Sequence, residues 1–285
     1  MDGRAIGLLR HPRNSAGRLR APLPALLLLL ALAGCSNPAK ETLVKENLQG
    51  KSVGVMLGYS SDYILSRPEF GLNIFRYDSY GDMQMALRFN RVDGIVMEKD
   101  EGDVLCRLEP DYKAAFAIHE QEKYAYPIHS ANSELVESFN AFIREFREGP
   151  EYADILARRA RVNEVPYEAK KVENTATGDK VLRVALYQGW EPISYVNTVT
   201  GEWEGSDVEL ITHYANREGY RIEWIDTGSW NQMVLNLAAG KVDLFLCPDS
   251  LALARDMEMA GSVTFSEWVW LKDMMCIVNN TEETP

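Results

Sequence analysis

Nucleophilic and metal-ligating side chains are few in this chain and poorly spaced for chemistry. The cysteines stand at 35, 106, 247 and 276 and the histidines at 11, 119, 129 and 213, none at the short ligand spacing of a metal site. No metal and no cofactor are expected. Cys35 ends an apolar stretch and belongs with it, which leaves an odd number of thiols. A Cys247–Cys276 disulfide is one reading of them, and buried free thiols on strands the other. Whatever these side chains do is set by the elements that hold them, beginning with the stretch before Cys35.

That stretch has five Arg (4, 10, 13, 18 and 20) followed by an apolar run over residues 25–33 that includes Leu26 to Leu30. It reads as a signal peptide over 1–34, too short to span a bilayer as a permanent helix. Leu32-Ala-Gly-Cys35 resembles a bacterial lipobox, in which the Cys is diacylated and becomes the mature N-terminus. At ~0.8 kcal/mol per buried methylene, several acyl chains make a stable anchor. The expected location is the cell envelope, on a periplasmic or extracellular face, with residues 35–49 as a polar tether. Without the leader, 251 residues remain with 25 basic and 41 acidic side chains. Such a surplus argues against nucleic acid as a partner. The length suits one large domain or two small ones.

A polar stretch over residues 164–180 divides the rest into two blocks, each opening with a short apolar strand that ends at Gly: Ser52-Val-Gly-Val-Met-Leu-Gly58 and Leu182-Arg-Val-Ala-Leu-Tyr-Gln-Gly189. The blocks also repeat at an offset of 150, pairing Met83 with Met233 and Asp93 with Asp243. Both repeats read as an amphipathic helix feeding a buried strand. Strands alternating with helices predict two α/β lobes, each a mostly parallel sheet covered by helices. Ligands of such sheets lie beyond the strands' carboxyl ends, here in an interlobe cleft. Capping signals at Ser130-Ala-Asn-Ser133 and Gly149-Pro150 predict helices over 134–147 and 151–161.

With these motifs the chain resembles the solute-binding proteins of amino-acid ABC importers, with the two-lobed type II periplasmic-binding fold. Leu182-Arg-Val-Ala, Trp190-Glu-Pro-Ile-Ser-Tyr195, Gly205-Ser-Asp-Val-Glu-Leu210, Gly240-Lys-Val-Asp243 and Val263-Thr-Phe-Ser-Glu267 look like the family's first lobe. Leu48-Gln-Gly-Lys-Ser-Val-Gly-Val55, Gly58-Tyr-Ser-Ser61, Arg91-Val-Asp-Gly-Ile-Val-Met-Glu98 and Tyr124-Ala-Tyr-Pro-Ile128 look like its second lobe and return. The order is rotated: lobe 2 over 50–122, the return strand and helices of lobe 1 over 123–163, a linker over 164–180, the main part of lobe 1 over 181–280 and a tail over 281–285. A circular permutant accounts for this, and so does a truncated tandem protein. A permutant requires the helix pair to pack on the sheet containing 181–187 and 242–247. It also places 274–280 beside 124–129, with one covalent crossing between lobes.

The resemblance also implies a site. Arg255, twelve residues after Asp243, takes the position of the Arg that grips a ligand carboxylate, a task suited to its planar fork. Glu98 stands where the family places the Asp that meets the ligand ammonium. Ser60 and Ser250 match hydroxyls of the two lobes, and Trp190 and Trp230 the aromatic walls. Ala252 and Ile193 depart from the family's Thr and Phe. The implied function is capture of an amino acid or similar small polar ligand, delivered to an ABC permease in the membrane, by a protein that is itself tethered to a membrane through its lipid anchor. The competing expectations are a dehydratase-like enzyme on the same fold and a degenerate module that binds no ligand.

Overall fold

The computed structural model describes residues 43–252 and 261–280. Cys35 with its leader, Arg255 and the tail lie outside them. The N-lobe opens with β1 (Ser52–Met56), α1 (Ser60–Leu65), β2 (Asn73–Tyr77), α2 (Tyr80–Arg88), β3 (Gly94–Glu98) and α3 (Lys99–Leu108). β1 lies parallel to β2 and β3. Ile64 and Leu65 of α1 pack with Val53, Val55 and Val96, whereas Met83 and Leu87 of α2 and Leu105 of α3 pack with Ile95 and Met97. With both faces covered, β3 is buried at all five positions, which is why Gly-Ile-Val-Met reads as a continuous apolar run.

From there β4 (Tyr112–His129) leads into the C-lobe: α4 (Ser133–Phe146), α5 (Pro150–Arg159), β5 (Val181–Leu186), the hairpin β6 (Tyr195–Val196) and β7 (Trp203–Glu204), α6 (Ser206–Glu218), β8 (Arg221–Asp226), α7 (Trp230–Ala238), β9 (Leu244–Phe245) and β10 (Asp249–Ser250). The last strand, β11 (Val263–Asn279), runs back to the N-lobe. β4 and β11 pair antiparallel along their whole length. Each lobe thus has the same order, β2-β1-β3-β11-β4 in one and β8-β5-β9-β4-β11 in the other.

Two expectations need correction. Residues 124–129 pair with 263–270, and it is Tyr112 to His119 that lie beside Asn279 to Met274, because both crossing strands are long enough to serve both sheets. For the same reason two covalent crossings join the lobes, not one. The helix pair does pack on the sheet of β5 and β9: Phe139, Ile143, Tyr152 and Ile155 share one core with Leu182, Val184, Leu244 and Phe245. Pro150 occupies the first turn of α5, where its missing N–H costs nothing.

The repeat seen in the sequence is a repeat of devices. Ser79 and Ser229 each accept a hydrogen bond from the backbone three residues on, at Asp82 and Gln232, capping α2 and α7. Met83 and Met233 are fully buried. Asn90 and Gly240 both turn the chain at positive φ, 54° and 65°. Asp93 and Asp243 then clamp the start of each first strand, accepting from the amides of Ser52 at 2.7 Å and Arg183 at 2.8 Å. Residues 164–180 form no helix or strand, yet are strapped to the C-lobe where Tyr167 and Lys170 donate backbone amides to Glu191 and Glu209. Cys106, Cys247 and Cys276 are free thiols, with Cys106 on a helix. Among the described residues, no helix is long and apolar enough to cross a membrane.

Candidate functional site

The cleft lies where β1, β3 and β5 end. Its polar centre is Glu98, at the carboxyl end of β3 and 5% exposed. One of its carboxylate oxygens accepts from Ser60 Oγ at 2.6 Å and from the Tyr124 hydroxyl at 2.7 Å. Ser60 comes from the start of α1 and Tyr124 from the crossing strand, so lobe and hinge meet on one carboxylate. Trp190 and Trp230 enter from the C-lobe, and Trp230 lies over Tyr59 with ring centroids 6.0 Å apart. Trp190 stacks on Tyr187 at 5.1 Å and donates its indole N–H to Glu101 at 2.6 Å.

Ser60, Glu98, Trp190 and Trp230, named from the sequence, therefore line one cavity, together with Tyr59, Glu101, Tyr124, Asp249 and Lys272. Ser250 is fully buried just outside it, donating to Glu122 at 2.5 Å and accepting from the Ala252 amide. Its hydroxyl thus serves β4. The run from Glu98 to Asp103, which could have been a solvated acidic loop, opens α3 instead. Of the residues missed, Tyr59, Tyr124 and Asp249 adjoin or fall within quoted motifs. Glu101 and Lys272 had no local signal, since α3 and β11 reach the cavity only through tertiary placement.

The cavity measures about 20 Å³, room for about one water molecule. It is narrow because the lobes already hold each other along α3. Asp100 takes a hydrogen bond from Arg159 of α5. Arg159 is itself held by Ser206 at 2.7 Å and Asp207 at 3.1 Å, beneath the Trp270 ring at 4.4 Å. Arg107 makes a bidentate pair with Glu191 at 2.8 and 3.2 Å. No buried side-chain nitrogen or oxygen among the described residues lacks a partner.

Electrostatics follow from this crowding. Burial pushes the Glu101 carboxyl up to about 7, with the nearby Glu98 adding to the rise. Burial likewise lifts Asp249 to about 7 against the lowering effect of the Ser250 amide. At Asp100 burial works in the same direction, but Arg159 and Lys272 outweigh it and the carboxyl is held below its usual value. The arrangement offers carboxylates, a hydroxyl and flat rings converging from two hinged lobes, which suits an ammonium-bearing ligand.

Residues 182–283 match the model of the bacterial extracellular solute-binding proteins, family 3. The matched segment is the second block, in which the first-lobe motifs of the resemblance lie. The mixed α/β, two-lobed architecture is that of the type II periplasmic-binding fold. No curated protein matches the chain. Among solved structures, it is similar to the ligand-binding component of an ABC-type import system from Staphylococcus aureus with zinc bound, at 10% identity and a TM-score of 0.43, covering 81% of this chain and 66% of that one. It is also similar to a probable amino-acid ABC transporter extracellular-binding protein from Bacillus subtilis, at 13% and 0.42, covering 83% and 86%. A third is the BvgS VFT2 domain of Bordetella pertussis, at 10% and 0.39, covering 80% of each.

Proposed function

We propose that the chain is an extracellular solute-binding protein that captures an amino acid or similar small polar ligand between its lobes for an ABC permease. The observation that carries this reading is the convergence of Ser60 and Glu98 from one lobe with Trp190 and Trp230 from the other on a single interlobe cavity. Glu98 would receive the ligand ammonium and Arg255 its carboxylate, with the two indoles enclosing the side chain. The domain would be one rotated copy of the family fold, a reading supported by the packing of the helix pair on the sheet of β5 and β9. Signal peptide 1–34 and lipidation of Cys35 would tether it to the envelope. Capture requires the lobes to open about β4 and β11, since about 20 Å³ admits no amino acid.

A second reading, a module closed on itself that takes no ligand, is favoured by the contacts along α3. A thermal-shift screen of amino acids, polar metabolites and prephenate-like acids tests both, with a turnover assay on each hit for the dehydratase alternative. Capture predicts a saturable rise in melting temperature for one ligand class and no turnover. For a confirmed hit, Arg255→Ala should weaken binding by ~2–5 kcal/mol, and Glu98→Gln should cost less than Glu98→Ala. A wild-type protein indifferent to the whole panel would end the capture reading.

A further inference from the structure

Lys272 is a charged residue that the ligand site above leaves without a role. It lies on crossing strand β11, is 5% exposed and lines the interlobe cavity. Among the described residues its nearest carboxylate oxygen is Asp100 Oδ2 at 3.6 Å, and its Nζ stands 5.0 Å from the centre of the Tyr124 ring. A lysine ammonium is a compact cation with three donors, and burying one is costly unless carboxylates or ring faces receive it. Here the ring, Tyr124, lines the ligand cavity, and the carboxylate, Asp100, stands next to the lining residue Glu101. The charge of Lys272 opposes the rise that burial imposes on Glu101 and Asp249, and it helps hold Asp100 down. The ammonium of Lys272 is thus buried at the interlobe cavity, within ion-pair distance of one carboxylate and over one ring face.

We propose that Lys272 is a tethered ligand: the interlobe site is an alkylammonium site occupied in cis, and the lobes rest closed with that cation in place. This rests on the reading of the cavity as the ligand site and adds what fills it. Lys272 belongs to the strand that joins the lobes, so it is permanently close to Asp100 and Tyr124. A tethered group competes at a millimolar or higher effective concentration. An external ammonium must displace it, so the affinity of the wild-type protein for simple amines is suppressed. The Asp100–Arg159 contact closes the same region from the other side, linking α3 of the N-lobe to α5 of the C-lobe.

Lys272→Ala removes three carbons and the ammonium, the size of n-propylammonium. The test compares wild type and Lys272→Ala by small-angle scattering and by melting in millimolar propylammonium chloride against equal sodium chloride. The wild-type chain should be compact and indifferent to the amine. Lys272→Ala should have a larger radius of gyration, and propylammonium should restore the compact value and raise the melting temperature saturably. Adding Glu98→Ala should abolish that rescue. Uncompensated carboxylates could unfold the single variant, so Lys272→Ala/Glu101→Gln, which removes one of them and keeps Asp100, is measured beside it.

A compact Lys272→Ala that ignores propylammonium overturns the proposal, as does a folded double variant that ignores it. If the wild-type protein binds an amino acid, and Lys272→Ala loses it without amine rescue, Lys272 contacts an external ligand. The tethered role then falls while the capture reading stands. If the wild-type protein binds nothing in the panel and Lys272→Ala is rescued, the tethered role stands and capture falls.

Discussion

The two lobes are built by the same devices and end differently. Offsets of 131 and 150 residues relate them: Gly58 and Gly189 both turn out of the first strand at positive φ, 79° and 81°. Tyr59 and Trp190 follow those glycines, Tyr80 and Trp230 begin the matching helices α2 and α7, and Asp93 and Asp243 make the same clamp. Divergence begins at the carboxyl end of the third strand. In the N-lobe β3 ends at Glu98 and α3 begins at once with Lys99-Asp100-Glu101, whereas after β9 the C-lobe runs through Cys247-Pro248 to the short β10. At that end Glu101 and Asp100 of the N-lobe meet the indole N–H of Trp190 and the guanidinium of Arg159. A shared scaffold with different strand ends is what a binding cleft needs, since ligands of such sheets meet the strand ends rather than the strands.

The sharpest way to break this comparison is to remove the fully buried acid that ties the C-lobe to the hinge. Asp207 is fully buried and accepts hydrogen bonds from Tyr126, from Trp270 at 3.0 Å and from Arg159 at 3.1 Å, tying α6 to both crossing strands and to α5. Asp207→Ala leaves Arg159 poorly compensated and should lower unfolding stability by ~3–5 kcal/mol. Asp62 of the N-lobe meets the amide of Gly58 at 3.2 Å and a half-exposed Arg76 at 2.9 Å, so Asp62→Ala should cost only ~1 kcal/mol. Urea midpoints of the two variants read the difference. Equal losses would mean that the lobes are anchored alike.

The next effect belongs to the cleft and is read through pH. Glu101 and Asp249 bind protons more tightly in the folded chain, at about 7, than an ordinary carboxyl does. Between about pH 4.5 and 7 the folded state keeps protons that the unfolded state has released, so stability falls as pH rises through that window and levels off above it. A rise from 4.5 to about 7 at Glu101 corresponds to on the order of 3 kcal/mol at ~1.4 kcal/mol per tenfold in proton affinity. Urea unfolding at pH 5 and pH 8 should show the wild-type chain more stable at pH 5. Glu101→Gln should shrink the gap, and an unchanged gap would remove Glu101 from the account.

What could be read from the sequence follows the range of the interaction involved. The helices around Met83 and Met233, the buried strands after them and the proline start of α5 are short-range patterns, legible because cap, period and turn lie within a dozen residues. Glu98, Ser60, Trp190 and Trp230, named through a resemblance in motifs, come to one cavity because they sit at or just beyond the ends of strands, on the turns and helix starts that follow. The pairing of β4 with β11 was misplaced because register between strands about 150 residues apart is set by which sheet each half must complete. Lys272 was invisible for a related reason: an isolated Lys in Trp-Leu-Lys-Asp looks solvated until Asp100 and Tyr124 are brought to it. Ser250 shows the converse, a hydroxyl at a motif position whose tertiary partner, Glu122, turns it away from the cavity.

A finer break tests the shared clamp. Asp243 holds more than the backbone: Arg183 Nη2 donates to it at 2.7 Å and Asn132 at 3.1 Å, in addition to the Arg183 amide. At Asp93 the corresponding strand residue is Ser52, whose amide makes the matching bond. Hydrogen bonds to a charged acceptor contribute about 1.5–3 kcal/mol each at most and add incompletely. Asp243→Ala should therefore cost ~2–3 kcal/mol. Arg183→Ala, which keeps the amide and the Asn132 bond, should cost less than Asp243→Ala. If Arg183→Ala is silent in urea unfolding, the guanidinium adds nothing to the clamp.

The smallest expected effect lies between the lobes. Arg107 of α3 pairs with Glu191 through two parallel hydrogen bonds, with side chains 13% and 23% exposed, and also reaches the Val162 carbonyl at 2.9 Å. The pair gains from its bidentate geometry and loses from partial desolvation, terms that nearly offset one another in pairs of this kind. Arg107→Ala should accordingly shift global stability by only ~1 kcal/mol. Neither lobe's own core contains the contact, so the loss should appear as opening rather than unfolding. Hydrogen exchange should quicken in α3 and at 189–195 while β1 and β5 keep their protection. A double-mutant cycle with Glu191→Gln then isolates the pair. A coupling near zero would show that α3 carries no interlobe attraction at this end, and would leave Asp100, Glu101 and Lys272 as the groups that hold the cleft shut.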